Sequence, residues 1–323
     1  MSTIPSLRWA RLATDVVPAW TELTNLLAEY DDTGEFYDAE DLAEELGEHG
    51  FDPEQDSWAV WGGDQLVAFG TISVGMAPDN EGRIRCTLGG GVRPSHRGQG
   101  IGRELLARME QRSRELASAR HPGVPAYWRL DGGDEGASVR ALAARRGYVI
   151  VRYFSELARS LPGADIASFE EAGAGVRLVC PDPGQEEATR LAHNDAWRDH
   201  WGAGAQTAES WHDVWAARAA RAGLSTLALD ADGAVLSYVL AGSWVEREVY
   251  VPLVGTVRAG RGRGLAAACL ARTVRLAAES GEFGTIVLHV DSDSPTGAHR
   301  LYERLGFVRT RGYAAMQRDI DPG

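Results

Sequence analysis

Residues 92–106 read VRPSHRGQGIGRELL, and residues 256–270 read TVRAGRGRGLAAACL. In each, a strand-like run meets an arginine–glycine turn, and a helix-like run follows. Such a turn leaves backbone N–H groups free at a helix N-terminus, where the macrodipole favours anions. Gly98, Gly100 and Gly102 let a phosphate come close to the main chain, as do Gly262, Gly264 and Ala266 in the second stretch. Arg97 adds positive charge to the first turn, and Arg261 and Arg263 to the second. A dinucleotide-binding turn is a poor match, because GQGIG lacks the G-x-G-x-x-G spacing and its strand does not open a βαβ unit. A glycine turn that merely starts a helix would explain one copy but not two with arginine at the same offset.

Outward from these turns, the two halves of the chain repeat one order of elements. In the first, a strand at LRWARLA precedes helices over 17–30 and 38–47. A hairpin turns at Gly62-Gly63-Asp64, RIRCTLGGGV is a strand, and a helix runs to Arg120. A strand at AYWRLD, a helix over 136–146 and a strand at YVIVRYFSEL complete it. In the second, GVRLVCP is followed by helices over 185–200 and 207–222 and a hairpin turning at Asp232-Gly233. The strand VEREVYVPLVGTV, a helix over 262–280, the strand TIVLHVD, a helix over 295–305 and the strand FVRTRGYAAMQRD follow. The expected fold class is α+β, with two tandem domains at 1–160 and 174–323. Each is a mixed, mostly antiparallel sheet flanked by helices, joined by the Gly-, Ala- and acid-rich stretch 160–175.

A chain of 323 residues is long for one core. Its 44% hydrophobic and 24% charged residues fit a globular protein. No apolar run approaches a membrane span and the start carries no apolar signal segment, so a cytoplasmic location is expected. All 33 basic residues are arginine, which excludes a P-loop lysine and Schiff-base chemistry. A net charge of −13 argues against nucleic acid as partner. From Glu29 to Asp56 there are 13 acidic residues and no arginine, either a solvated face or a mouth that attracts cations. The scattered Cys86, Cys180 and Cys269 suggest neither disulfide nor metal site.

VRPSHRGQGIG resembles motif A of the GCN5-related N-acetyltransferase (GNAT) superfamily, V-x-P-x-x-[RQ]-x-x-G-x-[GA], at Val92, Pro94, Arg97, Gly100 and Gly102. The second copy matches at Arg261, Gly264 and Ala266, with Thr256 and Arg258 in place of Val and Pro. LHVDSDSPTGAHRLYERLGF resembles the family's motif B, with Ser294 where Asn is usual. The resemblance covers nearly the whole chain as a tandem two-domain form. It implies that acetyl-CoA is the co-substrate, its pyrophosphate held by loop amides, and that the acetyl group passes directly to an amine. The implied coenzyme contacts are Val92, Arg97, Gly98, Gln99, Gly100, Ile101 and Gly102 in the first copy. In the second they are Thr256, Val257, Arg261, Gly262, Arg263, Gly264, Leu265 and Ala266, together with Ser294.

Direct transfer needs a neutral amine, an oxyanion donor and a proton for the departing thiolate. Tyr302 fills the place of the family's motif B tyrosine acid, on a helix that Ser294 would cap and Pro295 would open. A core aromatic is its plainer alternative. Ala143 stands opposite Tyr302 in the first half, so catalysis is expected in the second. Pro252 cannot donate to a ladder and predicts a bulge, which makes the Leu253 N–H the expected oxyanion donor. The family's strand glutamate, eleven residues before the motif's Arg or Gln, falls on Tyr250 and on Cys86, neither of them a base. Glu248 is the expected base; it and Glu246 lie on the face of Tyr250, a solvated strand end being the plainer alternative for both, and His289 could serve through water. Trp197, His200 and Trp201, in HNDAWRDHWG, are expected to line the substrate site, or else a Trp-rich core.

The expected function is acetyl transfer from acetyl-CoA to a primary amine of a small molecule, with no metal, no nucleic acid and no membrane. The alternatives are a non-catalytic coenzyme A-binding sensor or scaffold and a protein N-acetyltransferase.

Overall fold

The structure, a computed structural model, describes residues 7–133, 135–161, 173, 175–292 and 298–321. The chain divides into two compact units, Met1–Val151 with Tyr313–Gly323, and Arg152–Gly312.

The first unit opens with β1 (Leu7–Ala10), α1 (Val17–Tyr30), α2 (Ala39–Glu45) and the short α3 (Pro53–Asp56). Asp38 and Asp41 cap α2 reciprocally, each side chain accepting from the other's backbone N–H. Then come β2 (Ser57–Gly62), β3 (Gln65–Val74), β4 (Ile84–Val92), α4 (Ile101–Arg120), β5 (Ala126–Gly132) and α5 (Ser138–Arg145). The second contains β7 (Arg177–Val179), α6 (Glu186–Ala196), α7 (Ala208–Trp215), β8 (Thr226–Leu229) and β9 (Val235–Gly242). It continues with β10 (Glu248–Thr256), α8 (Leu265–Ser280), β11 (Thr285–Asp291) and α9 (Ala298–Arg304).

Two strands depart from a linear division at 160/174. Most of β6 (Val149–Ser160) lies in the second unit, antiparallel to β11 from Thr285↔Ser160 to Asp291↔Phe154. The end of β12 (Val308–Ile320) lies in the first unit, antiparallel to β5 from Ala314↔Gly132 to Ile320↔Ala126. Each half of the sequence therefore supplies a strand to the other half's sheet. The orders are β1-β2-β3-β4-β5-β12 and β6-β11-β10-β9-β8-β7. Among the strand pairs of the described residues β4–β5 and β10–β11 are parallel and the others named are antiparallel, so both sheets are mixed and mostly antiparallel.

Burial follows the pleat and the helical period. On α4, Ile101, Leu105, Leu106 and Met109 pack on Ile84, Cys86 and Leu88 of β4 and on Trp128 and Leu130 of β5. On α8, Leu265, Cys269, Val274 and Ala277 are buried, with Cys269, Val274 and Ala277 packing on Val249, Val251, Ile286 and Leu288. Each such large side chain contributes about 1.5–3 kcal/mol on leaving water. The opposite face of the second sheet carries another core, Trp211, Leu227, Tyr238 and Leu240, beneath α6 and α7. No helix among the described residues is long and apolar enough to cross a membrane.

Candidate active site

The two arginine–glycine turns share one backbone design. Each passes through a short 3-10 turn, Pro94–His96 or Arg258–Gly260, before the helix. Gly98 and Gly100 have φ of 76° and 89°, and Gly262 and Gly264 have 75° and 73°, values that a side chain rarely adopts. The third position differs. A Cβ on Gly102 would meet its nearest neighbours at 3.5 Å, an ordinary contact, which is why the second copy holds alanine there. From Gly98 to Arg103, and from Gly262 to Ala267, no backbone N–H has a main-chain acceptor among the described residues. Those runs of free donors at the N-termini of α4 and α8 fit a pyrophosphate. Gln99, Ile101, Arg263, Leu265 and Ala266 sit within these runs.

The arginines do something other than offer free charge. Arg97 grips Asp31, at the end of α1, with Nη1 at 2.8 Å and Nη2 at 2.5 Å, while its Nε donates to the Val92 carbonyl at 2.9 Å. The Asp31 hydrogen bond holds the Arg97 guanidinium above its usual pKa. In the second unit, Asp199 receives Arg258 at 2.7 Å and Arg261 at 3.1 Å, and Arg261 also donates to the Ala196 carbonyl. Asp195 accepts from the Arg258 N–H. Both turns are thus clamped to the end of the first long helix of their unit, leaving the amides to face a ligand.

Beside each turn a parallel strand pair comes apart. Pairing runs from Ile84↔Ala126 to Thr87↔Arg129 on β4–β5, and from Glu248↔Thr285 to Val251↔Leu288 on β10–β11. Val92 on β4 and Thr256 on β10 lie past those last pairs, and Val257 follows β10. The bulge predicted from Pro252 is present: Tyr250 pairs with Gly242 and Leu253 with Leu240, so two residues of β10 face one of β9. On β4 the register against β3 is continuous.

Tyr302, on α9, is buried within the core under α8, its ring edge-on to Phe307 at 6.1 Å. Its hydroxyl has no hydrogen-bond partner among the described residues, and burial pushes its pKa up to about 12. The first unit has Ala143 packed in its core instead, with Tyr148 donating to Glu110. Ser294 and Pro295 lie outside the described residues.

A polar group occupies the face of the second sheet turned away from α8. Since Val249, Val251, Leu157, Ile286, Leu288 and Val290 face the α8 core, strand alternation turns Glu248, Tyr250, Glu156 and His289 the other way. Glu156 and His289 stand directly opposite in the β6–β11 register. His289 Nε2 lies 3.5 Å from Glu156, and its Nδ1 lies 3.3 Å from the Tyr250 hydroxyl. Thr310 Oγ1 and Arg311 Nε hold the other oxygen of Glu156, at 2.5 and 3.1 Å. Burial raises the Glu156 carboxyl, but His289, Thr310 and Arg311 outweigh it and hold the group below its usual value. Glu248 is raised, first by burial and then by the nearby Glu156.

The aromatic residues after α6 divide. The helix ends at Ala196, so Trp197, Arg198 and Trp201 do not continue its face. Trp197 donates from its indole to Tyr238 at 2.9 Å and stacks on His193, which anchors it to the core. His200 packs on Trp197, with ring centroids 4.3 Å apart. Trp201 instead lies under the Arg152 guanidinium at 5.4 Å, and Arg152 approaches Asp291 at 3.9 Å. Asp291 shares the face of His289, so Trp201 borders the polar group.

Three contributors have no mark in the sequence. Asp31 and Asp199 are single carboxylates at helix ends, with no spacing that marks them. Glu156 carries no local signal, and in the sequence its strand reads as the last of the first domain.

The sequence pattern of the acetyltransferase (GNAT) family matches residues 19–131 and 188–307. A mycothiol acetyltransferase of Kineococcus radiotolerans is 33% identical over 232 residues, 68% of this chain and 67% of the relative. One from Tsukamurella paurometabola is 29% identical over 249 residues, covering 69% and 75%. Among solved structures, a GCN5-related N-acetyltransferase from Sphaerobacter thermophilus superposes with a TM-score of 0.76 at 24% identity, covering 99% of this chain and 98% of its own. A tandem GNAT protein from the clavulanic acid biosynthesis pathway gives 0.72 at 18% identity, covering 98% and 100%. At those identities the likeness is one of fold.

Proposed function

The chain belongs to the acetyltransferase (GNAT) family and is an acetyl-CoA-dependent N-acetyltransferase, and we propose that its acceptor is the primary amine of a small molecule. The observation that carries this reading is the second unit's combination of three features: free amides from Gly262 to Ala267, an opened β10–β11 pair, and Tyr302 on the adjoining helix. The two turns would hold the pyrophosphate of coenzyme A, and the coenzyme would supply the acetyl thioester. The Leu253 N–H, next to the bulge, would receive the oxyanion of the tetrahedral intermediate. Tyr302, kept protonated by burial, would give its proton to the departing sulfur. The polar face bearing Glu248 would take the acceptor's proton, with Trp201 at its border and Trp197 and His200 behind.

The tandem arrangement and the relatives named mycothiol acetyltransferase favour an acceptor related to mycothiol precursors. The first unit, with Ala143 in the tyrosine's place, would bind coenzyme A without turnover. A cytoplasmic location accords with an acetyl-CoA-dependent reaction. The test is thiol release from acetyl-CoA against a panel of small primary amines, including amino sugars and cysteinyl amines. Turnover of at least one amine supports the reading. Tight coenzyme A binding with silence across the panel would favour a sensor or scaffold instead.

A further inference from the structure

The polar group on β6, β10 and β11 has a directional order. Nε2 of His289 faces the Glu156 carboxylate, 3.5 Å away, so that nitrogen carries the proton and Nδ1 is left as an acceptor. The hydroxyl at Nδ1 is that of Tyr250, at 3.3 Å, half-exposed and edge-on to Trp244 with centroids 5.8 Å apart. Tyr250 sits just before the bulge, within the last four β10–β11 pairs before the strands part. Glu248, two residues earlier on the same face, has no side-chain hydrogen bond among the described residues that joins it to either ring. The chain of contacts therefore leads from the opened strand pair through Tyr250 and His289 to a carboxylate.

We propose that Tyr250, His289 and Glu156 form a proton relay that deprotonates the acceptor. This rests on the acetyl-transfer reading above. The Tyr250 hydroxyl takes a proton from the acceptor's ammonium as it passes its own to His289 Nδ1, and Glu156 holds the resulting imidazolium through Nε2. The freed amine attacks the acetyl carbon, the C–N bond forms to give the tetrahedral intermediate, and the C–S bond breaks as that intermediate collapses. Overall the ammonium nitrogen loses two protons. One goes to His289 and from there to water; the other restores Tyr302 after it has protonated the sulfur. Tyr250 and His289 act on the acceptor's proton, whereas Glu156 is a positioning residue.

The charged and titratable groups facing His289 are Glu156 from β6, Tyr250 and Glu248 from β10, Arg311 from β12, and Asp291 on its own strand. Thr310, beside Arg311, fixes Glu156 by a hydrogen bond. Arg311 is already held by Glu156 at 3.1 Å, so removing that carboxylate leaves a cation near the imidazole.

The experiment compares two acceptors: the primary amine with the highest turnover in the panel, protonated at neutral pH, and hydroxylamine, largely unprotonated there. His289→Gln and Tyr250→Phe are expected to lower kcat/KM for the protonated amine about 100-fold. Turnover of hydroxylamine and the melting temperature should stay near wild type. Glu156→Gln should lower kcat/KM for the protonated amine about 10-fold while leaving hydroxylamine turnover near wild type, because His289 loses the carboxylate that orients its ring. Equal losses for both acceptors, no loss for either, or a full loss in Glu248→Gln with His289→Gln active would overturn the relay. A wild-type protein silent towards every amine would overturn the transfer reading, which is a separate result.

Discussion

Arg97 Nη1 and Nη2 meet the two carboxylate oxygens of Asp31 at 2.8 and 2.5 Å, and Arg261 meets Asp199 in the corresponding place of the second unit. The arginine of each turn is thus spent on the protein itself. It ties the turn to the preceding helix, and in the proposed reading the phosphate would be left to the backbone amides. Asp199→Asn should therefore weaken coenzyme A binding in the second unit only modestly, by about threefold, as for an exposed ion pair. Isothermal calorimetry with coenzyme A measures this. A loss of all binding would mean that the clamp, and not the amides, supplies the affinity.

The glycines at positive φ should behave differently from the one beside them. Gly264→Val, forced into the left-handed region, costs ~1–2 kcal/mol of strain and places a side chain among the free amides. It should remove coenzyme A binding from the second unit. Gly102→Ala, with neighbours at 3.5 Å, should leave binding in the first unit intact. Titration stoichiometry separates the two outcomes.

Tyr302→Phe should lower kcat about 100-fold while the dissociation constant for acetyl-CoA stays near wild type. Because burial holds the hydroxyl at about 12, the acid form persists throughout the neutral and moderately alkaline range. Wild-type kcat should show no alkaline limb from this group until the pH nears that value, as a stopped-flow pH profile would reveal.

His193 is buried against Trp197, Trp211 and Tyr238, and burial lowers its pKa from 6.5 to about 4. A group depressed on folding adds stability above its unfolded pKa, and that stability is lost as pH falls through its folded pKa. About 3 kcal/mol should therefore disappear between pH 6.5 and 4. His193→Asn, less stable at pH 7, should show a flatter stability profile across that window in urea titrations. An equally steep profile would show that the imidazole does not cause the loss.

Thiol labelling should also discriminate. Cys86 and Cys269 are buried and pushed up to about 12, while Cys180 is half-exposed beside Arg272 at 3.4 Å. Iodoacetamide should modify Cys180 first and the other two only on unfolding, as peptide mass spectrometry would record.

Much of this arrangement was legible in the sequence because it depends on residues with one physical use. The left-handed glycines, the N-termini of α4 and α8 and the bulge beside Pro252 all follow from local backbone rules. The hairpins at Gly63 and Gly233 do so as well. What was hidden depends on distance along the chain. Glu156 meets His289 only because β6 pairs with β11, more than a hundred residues later, and no local pattern announces that pairing. The stop of α6 at Ala196 has no local marker either, so Trp197 reads as one helical face with Trp201, although a hydrogen bond to Tyr238 ties it to the edge of the core. Asp31 and Asp199 look like ordinary helix-end carboxylates until their arginines are placed.

In the proposed reading chemistry belongs to the unit bearing Tyr302, although the first unit has the motif that matches the family pattern more fully. The direct measurement is steady-state thiol release from acetyl-CoA with an active amine, comparing Gly264→Val with Gly100→Val. Turnover should be lost in Gly264→Val and retained in Gly100→Val. Retained turnover in Gly264→Val with loss in Gly100→Val would place the chemistry in the first unit and contradict the account.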